Sequence, residues 1–320
     1  MQSGTPRRSR WAAKLVALAA VAPVLAATVQ TAPALAAPAS TTAATAATAQ
    51  AAAPVTAAAA PKRADAKNRA VYFIHGYQRE VGKGQDCRMW DKTKKHFRNQ
   101  KWTGGLITWG YYKADKNCTV EYGGSQNTDL KYVSRSLAWD IYNRYTSKGK
   151  TVDVVAHSMG GLVIRNAIAR VKRGHDGFPP RLYVEDVVTL GTPHGGSDFA
   201  NACSTTQCKQ MRGHGGHLKW LNGLPTGNFQ ATGGTNWTQV GSYDDNYVTA
   251  FQATSFYGKH KVRYLLSENV EHSDYYKTGV GNGWDCYRST DYGKNFKKFK
   301  AACAGPINSA YVGAYFHSAR

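Results

Sequence analysis

Val152-Asp153-Val154-Val155-Ala156-His157-Ser158-Met159-Gly160-Gly161-Leu162-Val163-Ile164-Arg165 is the stretch on which the reading of this chain turns. Val152 to Ala156 is short, apolar and rich in β-branched residues, as a strand buried on both faces should be. Gly160 to Val171 then reads as a helix, so strand must become helix in the few residues around Ser158. A serine at such a bend, with a small residue two places before and after it, has its hydroxyl held out on a sharp turn. Ala156 fills the first small position, where glycine is usual, and Gly160 the second. The bland alternative is that Ser158 merely caps the helix, which serine does well.

Working outward, Ala70–Ile74, Gly105–Trp109, Tyr183–Leu190, Trp237–Val240 and Val262–Leu266 also read as buried strands. Between them, Leu130, Val133, Leu137, Ile141 and Tyr145 recur at helical spacing, predicting a helix over Thr128–Tyr145 with Thr128 as its cap. Strands alternating with helices predict an α/β domain with a mainly parallel central sheet flanked by helices. Its site should sit at the carboxyl ends of the strands. Asp198 to Gly234 is rich in Gly, Asn and His without a period, and is expected to be a loop covering the cleft. Aromatics from Trp102 to Tyr112 and Trp220 either line an apolar pocket or fill the core.

A serine hydroxyl is a weak nucleophile until a base takes its proton, and that base needs an acid to orient it. In folds built around such a turn the chain order is serine, acid, histidine. Trp237–Val240 runs into Gly241-Ser242-Tyr243-Asp244-Asp245-Asn246-Tyr247-Val248, so Asp244 and Asp245 compete for the acid. Asp245 is taken as the acid and Asp244 as a turn residue. The next strand leads into Ser267-Glu268-Asn269-Val270-Glu271-His272, which puts His272 in the loop where the base belongs. Of the other histidines, His157 adjoins the serine and should point away from it. His194, His214 and His217 precede the acid, His260 enters a strand, and His317 lies near the terminus. The oxyanion of an acyl-transfer intermediate needs donors. The backbone N–H groups of Met159 and of Tyr77, after His75-Gly76, are the candidates; the alternative for Gly76 is a tight turn without catalytic duty.

Residues 1–36 read as an export signal, with Arg7, Arg8, Arg10 and Lys14 before an apolar run and Ala34-Leu35-Ala36 for cleavage. Residues 37–66, almost all Ala, Thr and Pro, read as a disordered linker, and 67–320 as the catalytic domain. A secreted protein is therefore expected, and its six cysteines should be oxidised. Sequential pairing closes the shortest loops and is preferred. A metal site of Cys203, Cys208, His214 and His217 is the weaker alternative. The formal net charge is +21, and losing the four basic residues of the signal leaves +17. Such a surface suits an anionic polymer or lipid interface, while no recognisable nucleic-acid module is present.

Taken together, these residues resemble the secreted bacterial lipases and esterases of the α/β-hydrolase superfamily. The resemblance is carried by His75-Gly76, Ala156-His157-Ser158-Met159-Gly160-Gly161, Gly191-Thr192-Pro193-His194-Gly195-Gly196-Ser197, Ser242 to Val248, and Val270-Glu271-His272. In small lipases of that group the turn also begins with alanine, and the acid stands three places before a valine, as Asp245 does before Val248. The resemblance implies Ser158, Asp245 and His272 as catalytic residues and Tyr77 and Met159 as oxyanion donors. It implies that His75, Gly76, His157, Thr192 and His194 meet the substrate. An ester or lipid substrate and a monomer are expected, and acyl transfer by such residues requires no cofactor or metal. The alternatives are an amidase, peptidase or thioesterase on the same fold, or a non-catalytic cell-wall or polyanion-binding protein. The six cysteines, the Gly/Asn/His-rich insert and the positive charge depart from the group.

Overall fold

The computed structural model describes residues 60–317, so the expected export signal and most of the expected linker lie outside the described residues. Nine strands make one sheet in the order β3-β2-β1-β4-β5-β6-β7-β8-β9. They are β1 Ala70–Ile74, β2 Leu106–Tyr112, β3 Val120–Gly124, β4 Val152–His157, β5 Val184–Leu190, β6 Asn236–Ser242, β7 His260–Tyr264, β8 Asn282–Ser289 and β9 Lys297–Ala304. β1 to β7 pair in parallel, and β8 and β9 extend the sheet as an antiparallel hairpin. The helices are α1 Asp91–Asn99, α2 Leu130–Arg144, α3 Met159–Lys172, α4 Thr206–Gln210, α5 Gly216–Asn222, α6 Ala250–Ala253 and α7 Pro306–Tyr315.

Every residue of β1, β4 and β5 is buried, which is what their apolar-rich runs predict for strands covered on both sides, although β4 carries Asp153 and β5 carries Glu185 and Asp186. Tyr72, Ile74, Val154 and Ala156 pack into one core with Leu137, Ile141, Leu162 and Val163 from α2 and α3. Val71, Phe73 and Val155 face the other, with Phe97 of α1 and Ala310 and Tyr311 of α7. Each fully buried large aliphatic contributes about 1.5–3 kcal/mol, so these two layers hold β1 and β4 rigidly side by side. The chain starts at β1, builds outward to β3, then crosses back to lay β4 against the other flank of β1. That reversal leaves a crevice at the carboxyl ends of β1 and β4, the usual place for a site in such sheets.

α2 begins one residue later than expected, because Asp129 and not Thr128 caps it; the Asp129 carboxylate accepts from the Lys131 N–H at 2.7 Å. Residues 198–234 hold α4, α5 and two short 3₁₀ turns where a plain loop was expected. Helices this short never complete the repeats that make a period visible, yet Met211, Leu218 and Leu221 are buried. The disulfides are Cys87–Cys118, Cys203–Cys208 and Cys286–Cys303. The second takes both sulfurs of the alternative metal site, which is thereby excluded. Lys297, Lys298 and Lys300 are exposed on β9, where charge guards an open sheet edge against further strands.

Candidate active site

β1 and β4 pair with Ile74 beside Ala156, so the segments leaving them, His75-Gly76-Tyr77 and His157-Ser158-Met159, are neighbours. Ser158 has φ 53° and ψ −132°, a region nearly closed to residues with a side chain. The Ser158 N–H donates to the Leu190 carbonyl at 2.8 Å. Its own carbonyl accepts from the Thr192 hydroxyl at 2.9 Å. These two bonds hold the strained peptide from the β5 side. Space is equally tight behind it: a Cβ on Gly160 would sit 2.5 Å from the His75 carbonyl oxygen and 2.7 Å from that of Ile74.

The hydroxyl so presented lies 2.9 Å from Nε2 of His272, and His272 Nδ1 lies 2.8 Å from Oδ2 of Asp245. A carboxylate only accepts, so Nδ1 carries the proton and Nε2 offers its lone pair to Ser158. Asp245 is fixed on both oxygens. Oδ1 accepts from the N–H groups of Tyr247 and Val248, each at 2.9 Å, and Oδ2 also accepts from the Tyr275 hydroxyl at 3.2 Å. Burial, with the Asp245 charge beside it, holds that phenol well above its ordinary pKa, so it stays a donor. Asp244 is not the residue bonded to His272; its backbone N–H donates to the Ser242 hydroxyl at 3.1 Å.

Tyr111 donates its hydroxyl to the Gly76 carbonyl at 2.8 Å. In a trans peptide the N–H points opposite to the carbonyl, so the Tyr77 N–H faces away from Tyr111. Met159 opens α3, where the N–H groups of the first turn have no partner within the helix. The Gly76 Cα approaches the serine so closely that a Cβ there would stand 2.6 Å from the Ser158 Cβ.

A cavity of about 360 Å³ opens before Ser158, lined among others by Tyr77, Met89, Phe199, Met211, Tyr247 and Tyr276. Trp102, Trp109, Tyr111 and Tyr112 are core instead, and Trp220 lies under the Arg170 guanidinium. The aromatic lining comes from loops with no periodic signal, which is why sequence reading missed it. Gly76 and His157 both line the cavity, so His157 faces the site and does not point away from it.

Three residues expected at the substrate lie behind the cavity wall. His75 is fully buried, stacked on Tyr111 at 4.2 Å, with Nε2 2.8 Å from Asp115 and Nδ1 2.9 Å from the Gly76 carbonyl. Burial pushes the Asp115 carboxyl up, but hydrogen bonds from His75 and from the N–H groups of Tyr112 and Gln85 outweigh it and hold it below the usual range. Thr192 is occupied with the Ser158 carbonyl. His194 is stacked on Phe256 at 5.1 Å and contacts the Thr189 hydroxyl at 3.1 Å, while Pro193 between them reaches the cavity. The Thr-Pro-His turn is thus a brace for the serine bend.

Among the described residues, Glu185, Asp186 and His317 are close enough together to hold a cation. They lie at the amino ends of the strands, away from Ser158. Arg69 already fills the space among their carboxylates, 3.1 Å from Glu185 and 3.6 Å from Asp186.

A family model described as a domain of unknown function, DUF7379, matches residues 134–242. That span takes in Ser158 but neither Asp245 nor His272. No curated protein matches the sequence. Among solved structures the chain is similar to the mature lipase BlEst2 of Bacillus licheniformis, with 17% identity, 60% of this chain and 82% of that one covered, and a TM-score of 0.40. It is similar to the esterase Pf2001 of Pyrococcus furiosus, with 15% identity, coverages of 67% and 75%, and a TM-score of 0.39. It is also similar to phospholipase PlaB of Legionella pneumophila, with 13% identity, coverages of 58% and 45%, and a TM-score of 0.41. The chain thus spans less than half of that phospholipase. These neighbours are a lipase, an esterase and a phospholipase.

Proposed function

We propose that this protein is a secreted serine hydrolase that cleaves carboxylic esters through an acyl-enzyme. One observation carries the reading: the unbroken hydrogen-bonded chain from Ser158 through His272 to Asp245, opening on a cavity. Ser158 Oγ attacks the ester carbonyl as His272 Nε2 takes its proton. Asp245 keeps the imidazole in the tautomer that can accept and stabilises the cation formed. The N–H groups of Tyr77 and Met159 receive the oxyanion, with the amino end of α3 adding its dipole. The alcohol leaves with the proton from His272, and water attacks the acyl-enzyme by the same route.

Export is supported by the basic, apolar leader and by three disulfides, which persist in oxidising compartments. No helix of the described residues is long and apolar enough to cross a membrane. The test is hydrolysis of p-nitrophenyl esters together with fluorophosphonate labelling. Both should be present in the native chain and absent in Ser158→Ala. Undiminished hydrolysis by Ser158→Ala would end the proposal.

A further inference from the structure

We infer that the cleft before Ser158 takes esters bearing an anionic oxygen group, a carboxylate or a phosphate, and that Arg79 receives that group. The inference rests on the hydrolase reading above and adds to it a substrate class.

Among the described residues lining the cavity, Arg79 is the one lysine or arginine. It belongs to the segment that follows Gly76 and Tyr77, so it sits on the same loop as the proposed oxyanion donor. Its guanidinium is held in place without being neutralised. Nη1 donates to the Tyr247 hydroxyl at 2.8 Å. The guanidinium carbon stands 5.0 Å from the Phe199 ring centre and 5.6 Å from that of Tyr247, within reach of both ring faces.

Tyr247 is itself anchored, through its N–H on Asp245 and its carbonyl on the Ser197 hydroxyl at 2.6 Å. Its ring centre is 5.3 Å from that of His272. The positive charge therefore stands one aromatic ring away from the proposed base, on a scaffold tied to the proposed acid.

What the guanidinium lacks is an acid. Arg69, Arg88 and Arg144 each pair with carboxylates. Arg79 makes no ion pair among the described residues, and Glu271, the acid that shares the cavity lining, lies beyond ion-pair distance of it. Among the described residues only one of its five N–H donors finds a protein acceptor, Nη1 on the Tyr247 hydroxyl, which leaves the Nε and Nη2 edge of the fork open. That fork matches the paired oxygens of a carboxylate or phosphate. Arg79 is exposed, so its pull on an anion acts through solvent and weakens with salt. The formal charge of +21, or +17 once the four basic residues of the signal are lost, adds a long-range pull on anionic substrates.

Two matched pairs of esters test this: a p-nitrophenyl glutarate half-ester against its methyl ester, and an acylated glycerol phosphate against the acylated glycerol. The readout is the ratio of kcat/KM, anionic over neutral, within each pair. Arg79→Gln should lower that ratio about tenfold in at least one pair, Arg79→Lys should restore part of it, and raising the salt should erode the native preference. The pair that responds distinguishes a carboxylate from a phosphate.

The inference is overturned if Arg79→Gln leaves both ratios unchanged, including the case where all four rates fall together. That case would make Arg79 a strut between Phe199 and Tyr247. If fluorophosphonate labels Ser158 while the ratios stay flat, only the substrate class has failed. If Ser158 is not labelled and no ester is cleaved, the hydrolase reading has failed and the inference falls with it.

Discussion

His157 donates its Nε2 N–H to the main-chain carbonyl of His272 at 2.7 Å, so the residue before the serine bend holds the loop that carries the proposed base. Burial, with the nearby His272 adding to it, holds its pKa well below the ordinary histidine value, so the ring is neutral. A carbonyl only accepts, and the one ring proton must therefore be on Nε2. Among the described residues its Nδ1 has no hydrogen-bond partner.

Removing that donor should misplace the base while leaving the cavity open. His157→Ala is expected to lower kcat on a p-nitrophenyl ester roughly tenfold or more, in line with the sensitivity of catalysis to small displacements. KM should change less than kcat, and fluorophosphonate labelling of Ser158 should slow in parallel. An unchanged kcat with a raised KM would show instead that His157 serves only as cavity wall.

The bend at Ser158 stores strain, because φ 53° with ψ −132° suits glycine alone. Ser158→Gly should relieve about 1–2 kcal/mol of it while abolishing ester hydrolysis. Thermal unfolding should therefore move upward in the inactive variant. A lower midpoint would mean that the hydroxyl contributes more to stability than the backbone strain removes.

Two glycines should fail in different ways. In Gly160→Ala the new methyl meets backbone oxygens at 2.5 and 2.7 Å, which cannot swing aside, so the domain should lose roughly 2 kcal/mol or more. In Gly76→Ala the methyl meets the Ser158 side chain, at 2.6 Å from Cβ and 3.2 Å from Oγ. There the fold should survive with activity down about a hundredfold or more. Circular dichroism melts and initial rates on the two purified variants separate these outcomes, and equal behaviour of the two would refute the distinction.

Acid should destabilise this domain through its buried histidines. Burial, chiefly, lowers His157 and His194 well below the ordinary value of 6.5, and lowers His217 and His260 to about 4. Between pH 6.5 and about 4 the unfolded chain takes up protons that the folded chain refuses, so stability falls as pH falls. Each fully buried histidine costs up to about 1.4 kcal/mol per pH unit in that window. His317 works the other way, because its hydrogen bond to Asp186 raises it; its contribution is full below 6.5 and fades as pH rises through its folded value. His175 is lowered as well, while the raised Asp153 and Glu185 carboxyls take up protons in the folded chain and oppose the loss. With five histidines against these two and His317, unfolding midpoints should drop from pH 6.5 to 5. Equal midpoints at pH 7 and pH 5 would contradict this sign.

The sequence alone determined the sheet's inner strands and the bend. Runs such as Val71-Tyr72-Phe73-Ile74 and Val154-Val155-Ala156 are hydrophobic on successive residues, and local pattern needs little further to mark a fully buried strand. Ser158 with Gly160 was legible for the same local reason, because a tight turn constrains the residues within it. Sequential disulfides followed from short loop closure.

Tertiary structure decided what depends on residues far apart. Asp245 and His272 became partners only when β6 and β7 lay side by side, and the choice against Asp244 is made by which carboxylate the folded loop turns toward His272. His75, Thr192 and His194 carry the right chemistry at the right place in the chain. Packing turned them inward to brace the bend, since nearness along a strand end does not fix which face a side chain takes. The cavity wall of Phe199, Met211, Tyr247 and Tyr276, and the uncompensated charge of Arg79 within it, arise from loops with no period to read. Their meaning lies in mutual distance, which only the folded chain supplies.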